Sequence, residues 1–252
     1  MGRVSHVTPL DSLAVRIFAD GADLTHIREL AAHPRIAGFT TNPTLMRKAG
    51  VSDYRAFARE VLAVTVGRPV SFEVFSDEFP EMRMQANEIA SWGEAVNVKI
   101  PVTNTRGDFC GALIRDLSDD GVQLNITAVM TLEQVDSVLE SLSADTPAYI
   151  SIFAGRIADT GRDPVPHMAE AVRRIRQRPQ TYLIWASPRE LLNVFHADTV
   201  GCDIITVTND LLAKLSLVGK DLAEYSLDTV RMFRNDAVKA GYRLEPARRS
   251  TP

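Results

Sequence analysis

Cysteine is scarce in this chain: Cys110 and Cys202 are the only two in 252 residues, far apart and in no CxxC or Cys/His spacing. That argues against a disulfide framework and against a thiolate metal site. It points to a reduced, cytoplasmic protein whose cysteines act as small buried apolar residues. The five histidines (His6, His26, His33, His167, His196) follow no HExxH or similar pattern, so neither a metal nor another cofactor is expected. No apolar run approaches the length that spans a bilayer, and residues 1–11 lack the apolar core of a signal peptide. Charge of one sign is lacking too. Lysine and arginine number 28 against 32 aspartates and glutamates, a net charge of -4, which offers no basic surface to nucleic acid or to an anionic membrane. Small anionic substrates stay possible, because a few local arginines can serve them.

What is present is a hydrophobic content of 45%, enough to bury a sizeable core. Eight short strand-like runs, each followed by a helical pattern, occupy residues 15–20, 36–41, 70–75, 96–100, 122–127, 148–153, 181–187 and 203–207. No linker, low-complexity tract or long charge block separates them, so residues 15–243 form one expected domain between tails at 1–14 and 244–252. The helices carry start and stop signals. Thr131 with Gln134 reads as a capping box opening a helix to about Leu142. Pro80 suits a first helical turn leading to Trp92, with Gly93 as its stop. Asp221 can cap a final helix whose expected buried residues are Leu222, Tyr225, Val230, Phe233 and Val238, ending before Gly241. Strand–helix alternation repeated eight times implies parallel strands, right-handed crossovers and an α/β fold closed as a (β/α)8 TIM barrel with a C-terminal helix. A doubly wound open sheet is the alternative, but it would want a glycine-rich phosphate turn after the first strand, and Asp20-Gly-Ala-Asp23 is not one.

In such barrels the chemistry sits where strands end. The stretch Val96-Asn-Val-Lys-Ile-Pro-Val-Thr103 alternates apolar and polar residues, and Pro101 cannot donate to a sheet ladder, so the strand is expected to stop there with Lys99 near its end. Burying a lysine favours its free amine, which a Schiff-base nucleophile needs. Taken alone, a lysine that reaches water or pairs with an acid is the commoner outcome. The other strand ends change the balance: they deliver Asp20, Asn42, Glu73, Asn125 with Thr127, Ser151 with Arg156, and Ser187 with Arg189. Alternation places Gln123, Asn125 and Thr127 on one face against Val122, Leu124 and Ile126, and sets Tyr149, Ser151 and Phe153 against Ile150 and Ile152. The polar set is expected to face the barrel axis, at a cost unless its members bond to one another or to a ligand. Each residue also has an ordinary explanation. Asp20 could cap a helix near Asp23, Asn42 before Pro43 could be a turn and cap residue, and the arginines could form surface pairs.

Taken together, Phe18-Ala-Asp20, Thr40-Thr-Asn-Pro-Thr44, Phe72-Glu-Val74, Val98-Lys-Ile-Pro-Val-Thr103, Asn125-Ile-Thr127, Ile150-Ser-Ile-Phe-Ala-Gly-Arg-Ile157, Ala186-Ser-Pro-Arg189 and Gly201-Cys-Asp-Ile-Ile-Thr206 run in an order that resembles the transaldolases and the related fructose-6-phosphate aldolases. The resemblance covers about residues 15–218. It implies a Schiff base with a ketose donor at Lys99 and an acid/base at Asp20 that removes the hydroxyl proton driving carbon–carbon cleavage. It further implies a water held by Glu73 and Thr127, substrate orientation by Asn42 and Asn125, and a hydroxyl at Ser151 near the dihydroxyacetone unit. Arg156, Ser187 and Arg189 match the phosphate-binding set. Sugar phosphates are then the partners, and a homo-oligomer is expected.

Glu73 and Phe153 resemble the transaldolase pattern, where the aldolases are expected to carry a glutamine and a tyrosine, so Phe153 joins the substrate-binding set and transfer is favoured over release of free dihydroxyacetone. One departure is Pro188, in place of the usual aromatic residue. Proline fixes φ and removes a donor, which bears on the phosphate loop. A lyase and a non-catalytic sugar-phosphate-binding barrel are the competing readings, the latter weakened by the presence of both Lys99 and Asp20.

Overall fold

Strands β1 (Arg16–Asp20), β2 (Ile36–Thr40), β3 (Val70–Glu73), β4 (Val96–Pro101), β5 (Leu124–Val129), β6 (Ala148–Ile152), β7 (Thr181–Trp185) and β8 (Ile204–Thr208) pair in that order, and β8 returns to β1 to close the barrel. All the pairings are parallel. The structure is a computed structural model describing residues 8–244. Helix α1 (Leu24–Ala31) follows β1, and α2 (Pro43–Lys48) with α3 (Tyr54–Thr65) follows β2. Then come α4 (Phe79–Ala90), α5 (Gly111–Asp119) and α6 (Leu132–Ser141), one after each of β3 to β5. After β6 come α7 (Ala154–Asp159) and α8 (Pro164–Ile175); after β7, α9 (Leu192–Val200); after β8, α10 (Asn209–Leu212) and the long α11 (Leu222–Lys239). The expected (β/α)8 barrel with a C-terminal helix is the observed fold, and closure excludes the open sheet.

Local chemistry explains where the helices begin. Asp23, Asp53, Asp163 and Asp221 each accept first-turn N–H groups of α1, α3, α8 and α11, and the Thr131–Gln134 capping box opens α6. Pro80 lies in the first turn of α4, although that helix ends at Ala90, before Gly93. Strand parity sorts the core. Val98, Ile100, Leu124, Ile126, Ile150 and Ile152 pack with the helices, while Phe18, Ile184, Ala186 and Ile204 form a second cluster with Tyr149 and Tyr182 inside the barrel. Gly38 is required there: a Cβ on it would lie 2.6 Å from the Phe18 ring.

Four differences from the sequence reading have physical causes. Strand β4 includes Pro101, since the last ladder position tolerates a missing N–H. Strand β5 starts at Leu124 and runs on to Val129 through a register shift in which Ala128 takes the left-handed conformation, φ 61°. Strands β3, β6 and β7 stop at Glu73, Ile152 and Trp185, so Phe153 and Ser187 belong to the loops: Phe153 is the N-cap of α7, and Ser187 leaves the sheet at φ 60°.

The fourth difference is a correction. Leu222, Tyr225, Val230, Phe233 and Val238 are exposed, from 45% at Tyr225 to 81% at Leu222, and α11 buries no residue. An amphipathic pattern says that a helix has an apolar face; it does not say that its own barrel covers it.

Of the expected tails, residues 1–7 and 245–252 lie outside the described residues. Asp198 ties down Ala14 and Val15 by accepting both main-chain N–H groups, at 2.7 and 3.0 Å.

Candidate active site

Lys99 is 5% exposed on β4 and sits in register with Glu73 of β3. Its Nζ lies 3.0 Å from Glu73 Oε2 and donates to the Thr41 carbonyl at 2.9 Å. The ordinary explanation of a buried lysine, that it pairs with an acid, is therefore satisfied. The same contact puts a carboxylate within hydrogen-bond reach of the amine. Across the barrel, Asp20 at the end of β1 accepts from Thr40 Oγ1 at 2.8 Å, and Thr40 in turn shares a 2.5 Å hydrogen bond with Thr206. Burial pushes the Asp20 carboxyl above its ordinary range, opposed by the nearby Lys99 charge and the Thr40 bond. Asp23, three residues further on, does the helix capping that Asp20 might have done.

A second set of hydrogen bonds crosses the interior. Asn125 donates through Nδ2 to Ser71 Oγ at 3.0 Å and accepts from Ser151 Oγ at 2.7 Å. Ser71, Asn125 and Ser151 thus satisfy one another. Thr127 does not join them: its Oγ1 is buried and has no partner. It precedes Ala128, whose left-handed backbone is the kind of strain that concentrates at functional sites. Asn42 does two jobs. Its Oδ1 caps α2 by accepting from Leu45 N at 3.0 Å, and the residue lines the cavity.

That cavity, about 610 Å³, opens at the C-terminal end of the strands. Its walls include Asp20, Asn42, Glu73, Lys99, Thr127, Ser151, Phe153, Arg156, Ser187 and Arg189, so every candidate from the sequence lines it except Asn125. Asn125 lies beneath, fully buried, and reaches the wall through Ser151. At the rim, the Arg156 guanidinium stands over the Phe153 ring at 5.7 Å, and Arg189 is paired with Asp159. No group of three or more His, Cys, Asp or Glu among the described residues could hold a metal ion. Both cysteines are buried, with burial pushing the Cys110 thiol up to about 11 and that of Cys202 higher still.

Several contributors escaped the sequence reading. Ser71, Thr40 and Thr206 line up with Glu73, Asn42 and Thr208 by alternation, so the parity rule applied to every strand would have found them. Tyr54, from α3, bonds to the main chain of Glu73, and no sequence signal joins positions so far apart.

A family model described as transaldolase/fructose-6-phosphate aldolase matches residues 17–244. The chain belongs to this family. Three curated relatives described as "Probable transaldolase" agree with it. That of Dehalococcoides mccartyi is 33% identical over 202 residues, covering 80% of this chain and 90% of the relative. That of Moorella thermoacetica is also 33% identical over 202 residues, covering 80% and 89%. The Brucella anthropi relative is 32% identical over 232 residues, 91% of this chain and all of its own length. A solved structure from Burkholderia cenocepacia J2315, described in terms of lyase or mutase activity, has a TM-score of 0.56 at 15% identity and covers 94% of this chain and 90% of its own; that likeness is one of fold. Membership of the transaldolase/fructose-6-phosphate aldolase family makes the protein a sugar-phosphate-processing enzyme by class. No helix among the described residues is long and apolar enough to cross a membrane.

Proposed function

We propose that the protein is a transaldolase that moves a dihydroxyacetone unit from a ketose phosphate, of the fructose 6-phosphate or sedoheptulose 7-phosphate type, to an aldose phosphate through a Schiff base on Lys99. One observation carries the reading: a buried amine 3.0 Å from Glu73 shares a cavity with a second carboxyl, Asp20, and with two arginines.

In this reading Glu73 takes a proton from Lys99, and the free amine adds to the ketose carbonyl to give a carbinolamine. The Thr127 hydroxyl, buried without a partner, suits a water held between it and Glu73 that relays the proton needed to expel hydroxide as water. The resulting iminium is an electron sink. Ionised Asp20 removes the proton from the substrate hydroxyl, the adjacent carbon–carbon bond breaks, and its electron pair passes into the iminium to give an enamine. The aldehyde fragment leaves while the three-carbon fragment stays covalently bound. A second aldehyde then accepts the enamine carbon, and the alkoxide formed recovers its proton from Asp20. Hydrolysis of the new iminium frees Lys99. Asn42 and Ser151 orient the hydroxyls of the bound fragment, Asn125 acts on them from beneath through its bond to Ser151, and Arg156, Ser187 and Arg189 hold the phosphate, which suits arginine's permanent charge and paired donors.

The test is reductive trapping. Fructose 6-phosphate with borohydride is expected to leave a stable three-carbon adduct on Lys99, absent from Lys99→Ala. Product analysis with and without erythrose 4-phosphate then separates transfer from a lyase. Cleavage that runs equally well without the acceptor would assign the lyase reading instead.

A further inference from the structure

Arg189 is anchored twice, at both its ends, by side chains outside the cavity wall. Asp159, the last residue of α7, takes Arg189 Nε on Oδ1 at 2.9 Å and Arg189 Nη2 on Oδ2. Asn193 of α9, 8% exposed, accepts on Oδ1 from the main-chain N–H of Arg189 at 2.8 Å and of Glu190 at 3.2 Å. The backbone between these anchors is constrained as well. Ser187 is left-handed at φ 60°, Pro188 is buried with its φ fixed, and a Cβ on Gly155 would lie 1.5 Å from the Ser187 carbonyl.

A guanidinium has five N–H donors in a planar fork. Asp159 occupies the side edge, one on Nε and one on Nη2. Of the remaining three, one on Nη1 and one on Nη2 form the end edge, whose geometry suits two phosphate oxygens. The Arg189 bond holds the Asp159 carboxyl below the usual carboxylate range, with Arg156 adding to the effect, so it is ionised throughout the neutral range.

Resting on the reading of Arg189 as a phosphate ligand, we propose that Asp159 and Asn193 are positioning residues for it. Asp159 sets the plane of the guanidinium, Asn193 sets the main chain that carries it, and preference for phosphorylated over unphosphorylated sugars depends on both. An ordinary half-exposed ion pair contributes little to stability. The pair here is half-exposed on both sides, so its loss should leave the fold intact and act on recognition.

The experiment uses the full chain as wild type, Asp159→Asn, Asn193→Leu and the acceptor-retaining Asn193→Asp. Inorganic phosphate affinity is measured by calorimetry, and turnover is compared between glyceraldehyde 3-phosphate and glyceraldehyde as acceptors. Asp159→Asn is expected to weaken phosphate by about tenfold and to raise KM for the phosphorylated acceptor alone by about as much, the scale of one charge-assisted hydrogen bond. Asn193→Leu should act in the same direction, and Asn193→Asp should restore most of the loss. Equal losses on both acceptors, tighter phosphate binding in Asp159→Asn, or no phosphate binding by wild type would each overturn the proposal. Trapping of dihydroxyacetone on Lys99 in the same preparations keeps the two questions apart. An adduct with no selective phosphate effect sinks only the positioning roles, whereas no adduct sinks the Schiff-base reading.

Discussion

The Tyr54 hydroxyl closes both main-chain hydrogen bonds of Glu73: it accepts from the Glu73 N–H at 2.8 Å and donates to the Glu73 carbonyl at 3.0 Å. Strand β3 ends at Glu73, so a side chain from α3 supplies what the sheet no longer does. Tyr54 is itself wedged between Phe72, Phe75 and Trp92, and burial pushes its phenol above the ordinary value, so it stays protonated and able to donate. Tyr54→Phe keeps the ring and removes only the hydroxyl. It should cost about 1–3 kcal/mol of stability in denaturant titration, the penalty for leaving part-buried polar groups unpaired. It should also slow formation of the Lys99 adduct, since Glu73 would lose its fixed position. Unchanged stability and adduct rate together would show that the tyrosine only fills space.

On the proposed mechanism, Asp20 should link activity to pH. Burial raises its folded-state pKa above the ordinary 3.8, so the folded protein holds the Asp20 proton to higher pH than the unfolded chain does. Stability contributed by this group is complete below 3.8 and is lost as pH rises through the raised value. Asp20→Asn cannot ionise, and its side-chain oxygen can still accept from Thr40. Its stability relative to wild type should therefore improve as pH climbs through that window, while turnover is abolished. The acid limb of kcat/KM in the wild type should fall above 3.8. An acid limb at the ordinary carboxylate value would remove Asp20 from the role of base.

The Lys99–Glu73 pair calls for a double-mutant cycle. Lys99→Met leaves a part-buried carboxylate without its partner, and Glu73→Gln leaves a buried ammonium without its counter-charge. Each should cost about 3 kcal/mol or more in denaturant midpoints, and the double variant should recover part of the sum, with a coupling of about 1–3 kcal/mol. Strict additivity would mean that the two groups do not sense each other in the folded protein.

The barrel was legible because its signals are periodic. Eight alternations of strand and helix survive errors of two residues at any boundary, as the ends of β5 and β7 illustrate. The wall residues on the strands were legible for the same reason, since parity fixes which strand side chains face inward. Asn42, Phe153, Arg156, Ser187 and Arg189 lie past the strand ends and were legible only from the motifs that follow each strand. What escaped depends on contacts between distant segments. Tyr54 reaches Glu73 from another element, Asp159 and Asn193 reach Arg189 from two more, and Ala128 and Ser187 adopt backbone conformations that their residue types do not announce. The apolar residues of α11 stay exposed on this chain, because periodicity carries no information about which surface, if any, covers them.

Gly155 is where the loop geometry can be tested without touching a hydrogen-bonding group. A Cβ there meets the Ser187 carbonyl at 1.5 Å and Arg189 Nε at 3.2 Å, and a main-chain oxygen cannot swing aside as a side chain can. Gly155 is not left-handed, so Gly155→Ala brings no backbone strain of its own, and its whole effect has to come from pushing the β7–α9 loop away. Overpacking of this kind costs about 1–3 kcal/mol. The displaced Ser187 and Arg189 should weaken inorganic phosphate in calorimetry by more than Gly161→Ala does. Gly161, in the α7–α8 turn, is left-handed at φ 78° with nothing within 4 Å of its Cβ position, so alanine there brings backbone strain but no clash. Equal effects of the two substitutions on phosphate would mean that tight packing of Gly155 against Ser187 has no part in holding the phosphate loop.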